Sequence, residues 1–207
     1  ENKLNLILFL IISLLLSIFI IRNLDINFLI NTILVTSAFY LFLITLKDFF
    51  SKKFKNLSQN FAHFSFSLLI LSILFNNFLS TEIITNLKIN ETYENDAVKI
   101  NFEGIEQRDE QNFKAIIGKF VIEHNGGQTD IMQPELRIYN QPNIITSEAD
   151  IKTTLYKDKF MTMNSVQNQE YFNIRYQVKP FMIWIWLSTF LISLSGLIGF
   201  FKKRYEN

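Results

Sequence analysis

Two histidines, His63 and His124, are the side chains best suited to holding a metal, because the sequence contains no cysteine. Without thiols there is no disulfide, no thiolate-ligated zinc or iron–sulfur cluster, and no CxxC redox pair. The settings of the two differ. His63 lies in Phe61-Ala62-His63-Phe64, at the head of an apolar block, where an ionisable side chain has to face a cavity, a partner or a ligand. A structural role would have its imidazole reach the interface or cap a neighbouring helix. A functional role would make it an axial iron ligand: neutral imidazole binds haem iron, and a porphyrin plane needs aliphatic and aromatic walls. Phe66 and Ser67 stand one turn on and Ile70 two turns on, which offers such walls at a spacing any apolar helix provides. His124 directly precedes Asn125-Gly126-Gly127 and reads as a solvated hairpin residue. Trp184 and Trp186 read as headgroup anchors, or as a lip over which a planar ligand slides. No GxSxG, HExxH or phosphate-cradling glycine loop is present, so no catalytic residue is assigned.

These residues need elements to position them, and hydropathy supplies four. The chain is 207 residues long and 49% hydrophobic, and its apolar residues gather into blocks of about twenty instead of recurring at core periodicity. The blocks are Leu4 to Ile21, Ile26 to Leu46, Phe61 to Leu79 and Pro180 to Phe201. Each predicts a transmembrane helix, the first two joined tightly across Arg22 to Asp25 and the last opened by a proline. The first run exceeds a signal-peptide core, and no A-x-A site follows it. Lys and Arg cluster in KDFFSKKFK after the second block and in the tail, 202–207, which predicts both on the cytoplasmic side. Residues 80–179 then form an outer domain. Its period is two: Val98, Ile100 and Phe102 alternate with polar residues, as do Phe172, Ile174, Tyr176 and Val178. The expected fold class is therefore membrane α-helical with an inserted, mainly antiparallel β domain: three spans in 1–79, the domain at 80–179, a fourth span at 180–201 and a short tail. A net charge of +1 without a dense Lys/Arg stripe argues against nucleic-acid binding. The first span starts within three residues of Glu1, so further chain or a companion subunit is expected upstream.

From about Ser58 onward the sequence resembles the C-terminal part of the CcmF family, haem-handling proteins that mature c-type cytochromes. The likeness rests on Ala62-His63, on Pro134 through Tyr139, on Thr146-Ser147-Glu148 to Ile151, and above all on Lys179-Pro180-Phe181-Met182-Ile183-Trp184-Ile185-Trp186, followed by Gly196. Ser65 and Ser188 stand where the family often has glycine. The resemblance implies that His63 is an axial ligand of a b-type haem, the cofactor-binding and metal-ligating residue of this stretch. It also implies a part in a cytochrome c haem lyase whose catalytic elements lie mostly upstream, in an N-terminal part or subunit. Implied partners are a haem carrier protein, apocytochrome c and its thiol-reducing proteins, and the lipid bilayer. The implied location is a bacterial inner membrane with the outer domain in the periplasm, or a mitochondrial inner membrane. A different class of function fits the same features: a non-enzymatic, membrane-anchored module whose β domain recruits periplasmic assembly partners.

Overall fold

The computed structural model describes residues 3–24, 26–50, 57–166 and 170–206. Asp25 and much of the basic loop, at 51–56, lie outside them, as do the side chains of the tail 202–207. Contacts divide the chain into a helical unit, Glu1–Leu79 with Pro180–Asn207, and a second unit, Ser80–Lys179.

The helical unit holds α1 (Lys3–Ile21), α2 (Phe28–Phe50), α3 (Leu57–Leu79) and α4 (Met182–Glu206). Each is long and apolar enough to cross a bilayer. Their burial pattern is the inverse of a soluble bundle. Leu4, Phe19 and Leu29 are about two-thirds exposed or more, whereas Ser13, Ser17, Ser65, Ser67 and Ser188 are fully buried. Lipid tails are as apolar as leucine, so nothing drives leucines inward, and small residues take the helix contacts because they let backbones approach. Their hydroxyls stay satisfied by donating to the carbonyl one turn back, as Ser17 does to Ser13 (2.6 Å) and Ser188 to Trp184 (2.6 Å).

α2 and α4 begin and end away from the hydropathy windows. α2 runs on to Phe50, past the window ending at Leu46. The fourth helix was expected to open at Pro180, but Pro180 is the last residue of a strand and α4 starts at Met182. The facing strand begins at Thr81, opposite Val178, so the missing N–H of Pro180 costs that pairing no bond. Phe181 makes the turn at φ 60°, an uncommon conformation for a bulky residue. Its carbonyl accepts from Trp184 N–H (3.0 Å), its ring lies 5.4 Å from that of Phe75, and Asn76 Nδ2 donates to the Pro180 carbonyl (2.7 Å).

The second unit is an antiparallel β-sandwich, as the period of two predicts. Its strands are β1 (Thr81–Leu87), β2 (Thr92–Glu94), β3 (Val98–Asp109), β4 (Phe113–His124), β5 (Thr129–Met132), β6 (Glu135–Tyr139), β7 (Ile145–Glu148), β8 (Asp150–Thr153), β9 (Lys157–Ser165) and β10 (Phe172–Pro180). One sheet has the order β1-β10-β9-β8. The other has β2-β3-β4-β6-β7, with β5 also paired to β4. The inward residues of alternating strands meet between the sheets: Ile100 and Phe102 from β3, Phe120 and Ile122 from β4, Met161 and Met163 from β9, Ile174 and Tyr176 from β10. Phe102 and Phe120 stack with centroids 4.4 Å apart. Gly118 has no room for a side chain, since a Cβ there would lie 2.6 Å from the Phe120 ring and 2.7 Å from Met163 Sδ. The β4–β5 turn places Gly127 at φ 76°, which a glycine adopts freely.

Candidate functional site

α3 is held on two sides. Toward α2, Thr45 and Ser67 share a hydroxyl hydrogen bond of 2.7 Å, and Phe64 packs against Phe42 and Phe49 with centroids 5.7 and 5.1 Å apart. Toward α4, Ser58 donates to the Ser195 carbonyl (2.7 Å). Ser58, Ser65 and Ser72 recur every seven residues, so they continue that seam along one face. His63 is on the remaining face of α3, exposed, with Phe66 (54% exposed) and Ile73 (48%) further along. His63 makes no hydrogen bond or ion pair with any described residue. Phe66 and Ile70 remain available as walls beside the imidazole. Ser67, four residues on, instead turns inward to Thr45 and leaves that wall.

His63 is six residues on from the start of α3 at Leu57, roughly 9 Å along the axis at the usual rise. An imidazole at that depth with two flanks of its helix occupied can receive a ligand only from the open side. It can supply one nitrogen to a metal. Among the described residues no group of three or more His, Asp or Glu side chains could complete such a centre.

The glycine turn that follows His124 predicts a solvated imidazole, but the structure places it largely inside the sandwich. As the last residue of β4 it continues the inward series Gly118, Phe120, Ile122, and its side chain is only 16% exposed. Its Nε2 lies 3.0 Å from Asp130 Oδ2 and 3.0 Å from Lys159 Nζ, and Lys159 also pairs with Asp130. One ring nitrogen carries either a proton or a lone pair, so at a given moment Nε2 donates to Asp130 or accepts from Lys159. Burial pulls the Asp130 carboxyl upward, but hydrogen bonds from Lys159 and His124, with the charges of Lys159 and Lys152, outweigh it and hold it below the usual range. Burial, with the Asp130 charge beside it, pushes the Tyr176 hydroxyl well above its ordinary value. The sandwich interior thus ends in a polar plug. Asp130 and Lys159 both lie against His124 Nε2, so that nitrogen is engaged within the sandwich. The signal was present in the sequence: Lys159 is in phase with Met161 and Met163 on an alternating strand.

Trp186 is 66% exposed on the first turns of α4, as an interfacial anchor would be.

Comparison with known proteins gives a consistent result. Residues 78–180 match the family model described as the CcmF C-terminal beta-sandwich. The cytochrome c-type biogenesis protein CcmF of Pseudomonas fluorescens is 25% identical over 145 residues, covering 70% of this chain and 22% of that protein. The cytochrome c-type biogenesis protein ccl1 of Rhodobacter capsulatus is 27% identical over 120 residues, covering 58% and 18%. CcmF of Escherichia coli is 22% identical over 145 residues, covering 70% and 22%. The chain therefore spans about a fifth of the length of these relatives. A solved structure of the cytochrome c haem lyase CcmF shares the fold, with a TM-score of 0.70 and 18% identity, covering 95% of this chain and 34% of that one.

Proposed function

The chain belongs to the CcmF family through its C-terminal beta-sandwich, and on that premise we propose that it is a component of a cytochrome c maturation haem lyase. In this role it contributes His63 as one axial ligand of a membrane b-type haem. The observation that carries the reading is an exposed, unpartnered imidazole inside a span-length helix whose other two faces are taken by α2 and α4. Poor solvation of such a group has a physical justification if it ligates iron.

His63 fits half of a bis-histidine site. The packing of α3 fixes the imidazole on a rigid element, which a metal ligand requires. Phe66, Ile70 and Ile73 offer an apolar wall that would keep water from the ring. A second ligand has to come from the remaining N-terminal part or subunit. When bound, a b-type haem supplies one-electron chemistry at a potential tuned by its ligands and surroundings. The haem carrier protein, apocytochrome c and its thiol-reducing proteins are the partners this role implies. The location it implies is the inner membrane, with the sandwich on the periplasmic side.

The test is a visible spectrum of the chain purified with its upstream part. A reducible b-type Soret band that disappears in His63→Ala and persists in His124→Ala is the expected result. Unchanged haem content in His63→Ala overturns ligation and leaves a membrane-anchored binding module as the better description.

A further inference from the structure

The turn between β8 and β9 has the wrong residues for a turn in water. Thr154 and Lys157 close it with three hydrogen bonds: Thr154 N–H and Thr154 Oγ1–H both donate to the Lys157 carbonyl (3.0 and 2.7 Å), and Lys157 N–H donates to Thr154 Oγ1 (3.1 Å). The two residues at its tip are Leu155, 60% exposed, and Tyr156, 74% exposed. Tight hairpin turns favour Asn, Asp and Gly, because those residues suit the backbone and the solvent. A well-tied turn that displays a leucine and a tyrosine is built to present them.

The location of the tip follows from register inside the sandwich. The connection after β9 is closed by Val166 N–H to the Tyr171 carbonyl (3.3 Å), so β9 returns antiparallel into β10. The start of β9 then lies beside the end of β10, and the Lys179 ammonium sits 5.3 Å over the Phe160 ring. β1 pairs the same end of β10, Thr81 opposite Val178. Both points at which the chain leaves the sandwich for its apolar helices, Ser80 and Pro180, are therefore at the end of the sheet that carries the tip.

We infer that Leu155 and Tyr156 insert into the interfacial layer of an anionic lipid bilayer. Tyrosine suits that layer, with its ring among acyl chains and its hydroxyl among headgroups. Cations complement the headgroups. Lys157 follows the tip and Lys179 lies on the neighbouring β10, while Lys152 on β8 is paired with Asp130. Lys157 also lines a cleft of about 390 Å³ with Thr154, Tyr156, Lys159 and Asp130. The acids nearby are Asp130, already paired with Lys159 and Lys152, Asp158, which is buried, and Glu82, which pairs with Arg175 and also feels the charge of Lys179. Basic residues at a membrane surface each add attraction to anionic lipid.

Because the chain has no cysteine, single cysteines can be placed freely. A nitroxide on Tyr156→Cys in the full chain, reconstituted in phosphatidylcholine vesicles containing phosphatidylglycerol, should collide several-fold more with oxygen than with a nickel chelate. Ser165→Cys, at the opposite end of β9, should show the reverse. A label on Thr153→Cys beside an intact tip should share the sign of Tyr156→Cys and lose it when Leu155 and Tyr156 both become serine. Insertion should be shallower in phosphatidylcholine alone and in Lys157→Gln. A Tyr156→Cys label as open to the nickel chelate as Ser165→Cys overturns the inference, and so does a label shielded from both reagents, which would mean protein covers the tip. Equal depth in both lipids overturns the role of charge.

Discussion

Lys159 enters the sandwich from β9 and its Nζ stops 3.0 Å from His124 Nε2, so a core of phenylalanine, isoleucine and methionine ends in an ammonium group only 5% exposed. Asp130 makes this tolerable, because its carboxylate pairs with that ammonium and reaches Lys152 at 3.8 Å.

Removing one partner of a buried pair costs more than the pair contributes, since it strands the other charge. Asp130→Asn leaves Lys159 buried without a counter-ion and should destabilise the sandwich by about 3 kcal/mol. Lys159→Met should cost less, because Asp130 keeps Lys152 and is itself nearer to solvent. Urea unfolding of the full chain in detergent, followed by hydrogen exchange of β4 and β9 amides, measures both.

The same carboxylate sets an acid limit. Its folded value lies below the ordinary 3.8, so the unfolded chain binds the proton first as pH falls. The stabilisation is complete well above 3.8 and is lost as pH drops through that value toward the depressed one. Wild type and Asp130→Asn should therefore differ in unfolding midpoint near neutrality and converge in acid. A difference that persists undiminished at the lowest pH would show that the shift has another cause.

Gly118 is required by shape. Its missing Cβ leaves room for Met163 and the Phe120 ring, and the ring is fixed by its stack on Phe102. Gly118→Ala should cost roughly 1–3 kcal/mol, the usual penalty of overpacking. Gly104, where a Cβ would meet nothing within 4 Å, is the control, and alanine there should leave the urea midpoint nearly unchanged.

What the sequence made legible depended on whether a local pattern decided the outcome. Period two in Phe172 through Val178 reports which face is buried, and Ile174 and Tyr176 are buried as it predicts. Hydropathy finds the spans because the bilayer demands length and apolarity, but it says nothing about which face of a helix packs. Hence Ser67 read as part of the wall beside His63, when its hydroxyl belongs to Thr45. His124 read as solvated because a turn follows it. Its fate was set by Lys159, thirty-five residues away, and by Asp130 across the turn, a non-local pairing that no window contains. Pro180 read as a helix start because proline suits one, yet the strand extends through it.

The exposed position of His63 separates its two roles experimentally. An imidazole that braced helices would leave a hole or an unsatisfied donor when removed, and the bundle would loosen. His63 touches neither seam of α3, so His63→Ala should change the unfolding midpoint of the full chain by no more than a surface substitution does, within about 0.5 kcal/mol. Ser67→Leu, which breaks the bond to Thr45 and overfills the α2 seam, should cost about 1 kcal/mol or more. If His63→Ala keeps the fold but abolishes the haem spectrum of the assembled protein, the loss is one of ligation. His63→Gly supplied with free imidazole should then regain the spectrum, since the small molecule fills the vacated position from the open side. Failure of imidazole to restore it, in a variant that remains folded and assembled, would mean that the histidine acts on the haem through something other than its nitrogen.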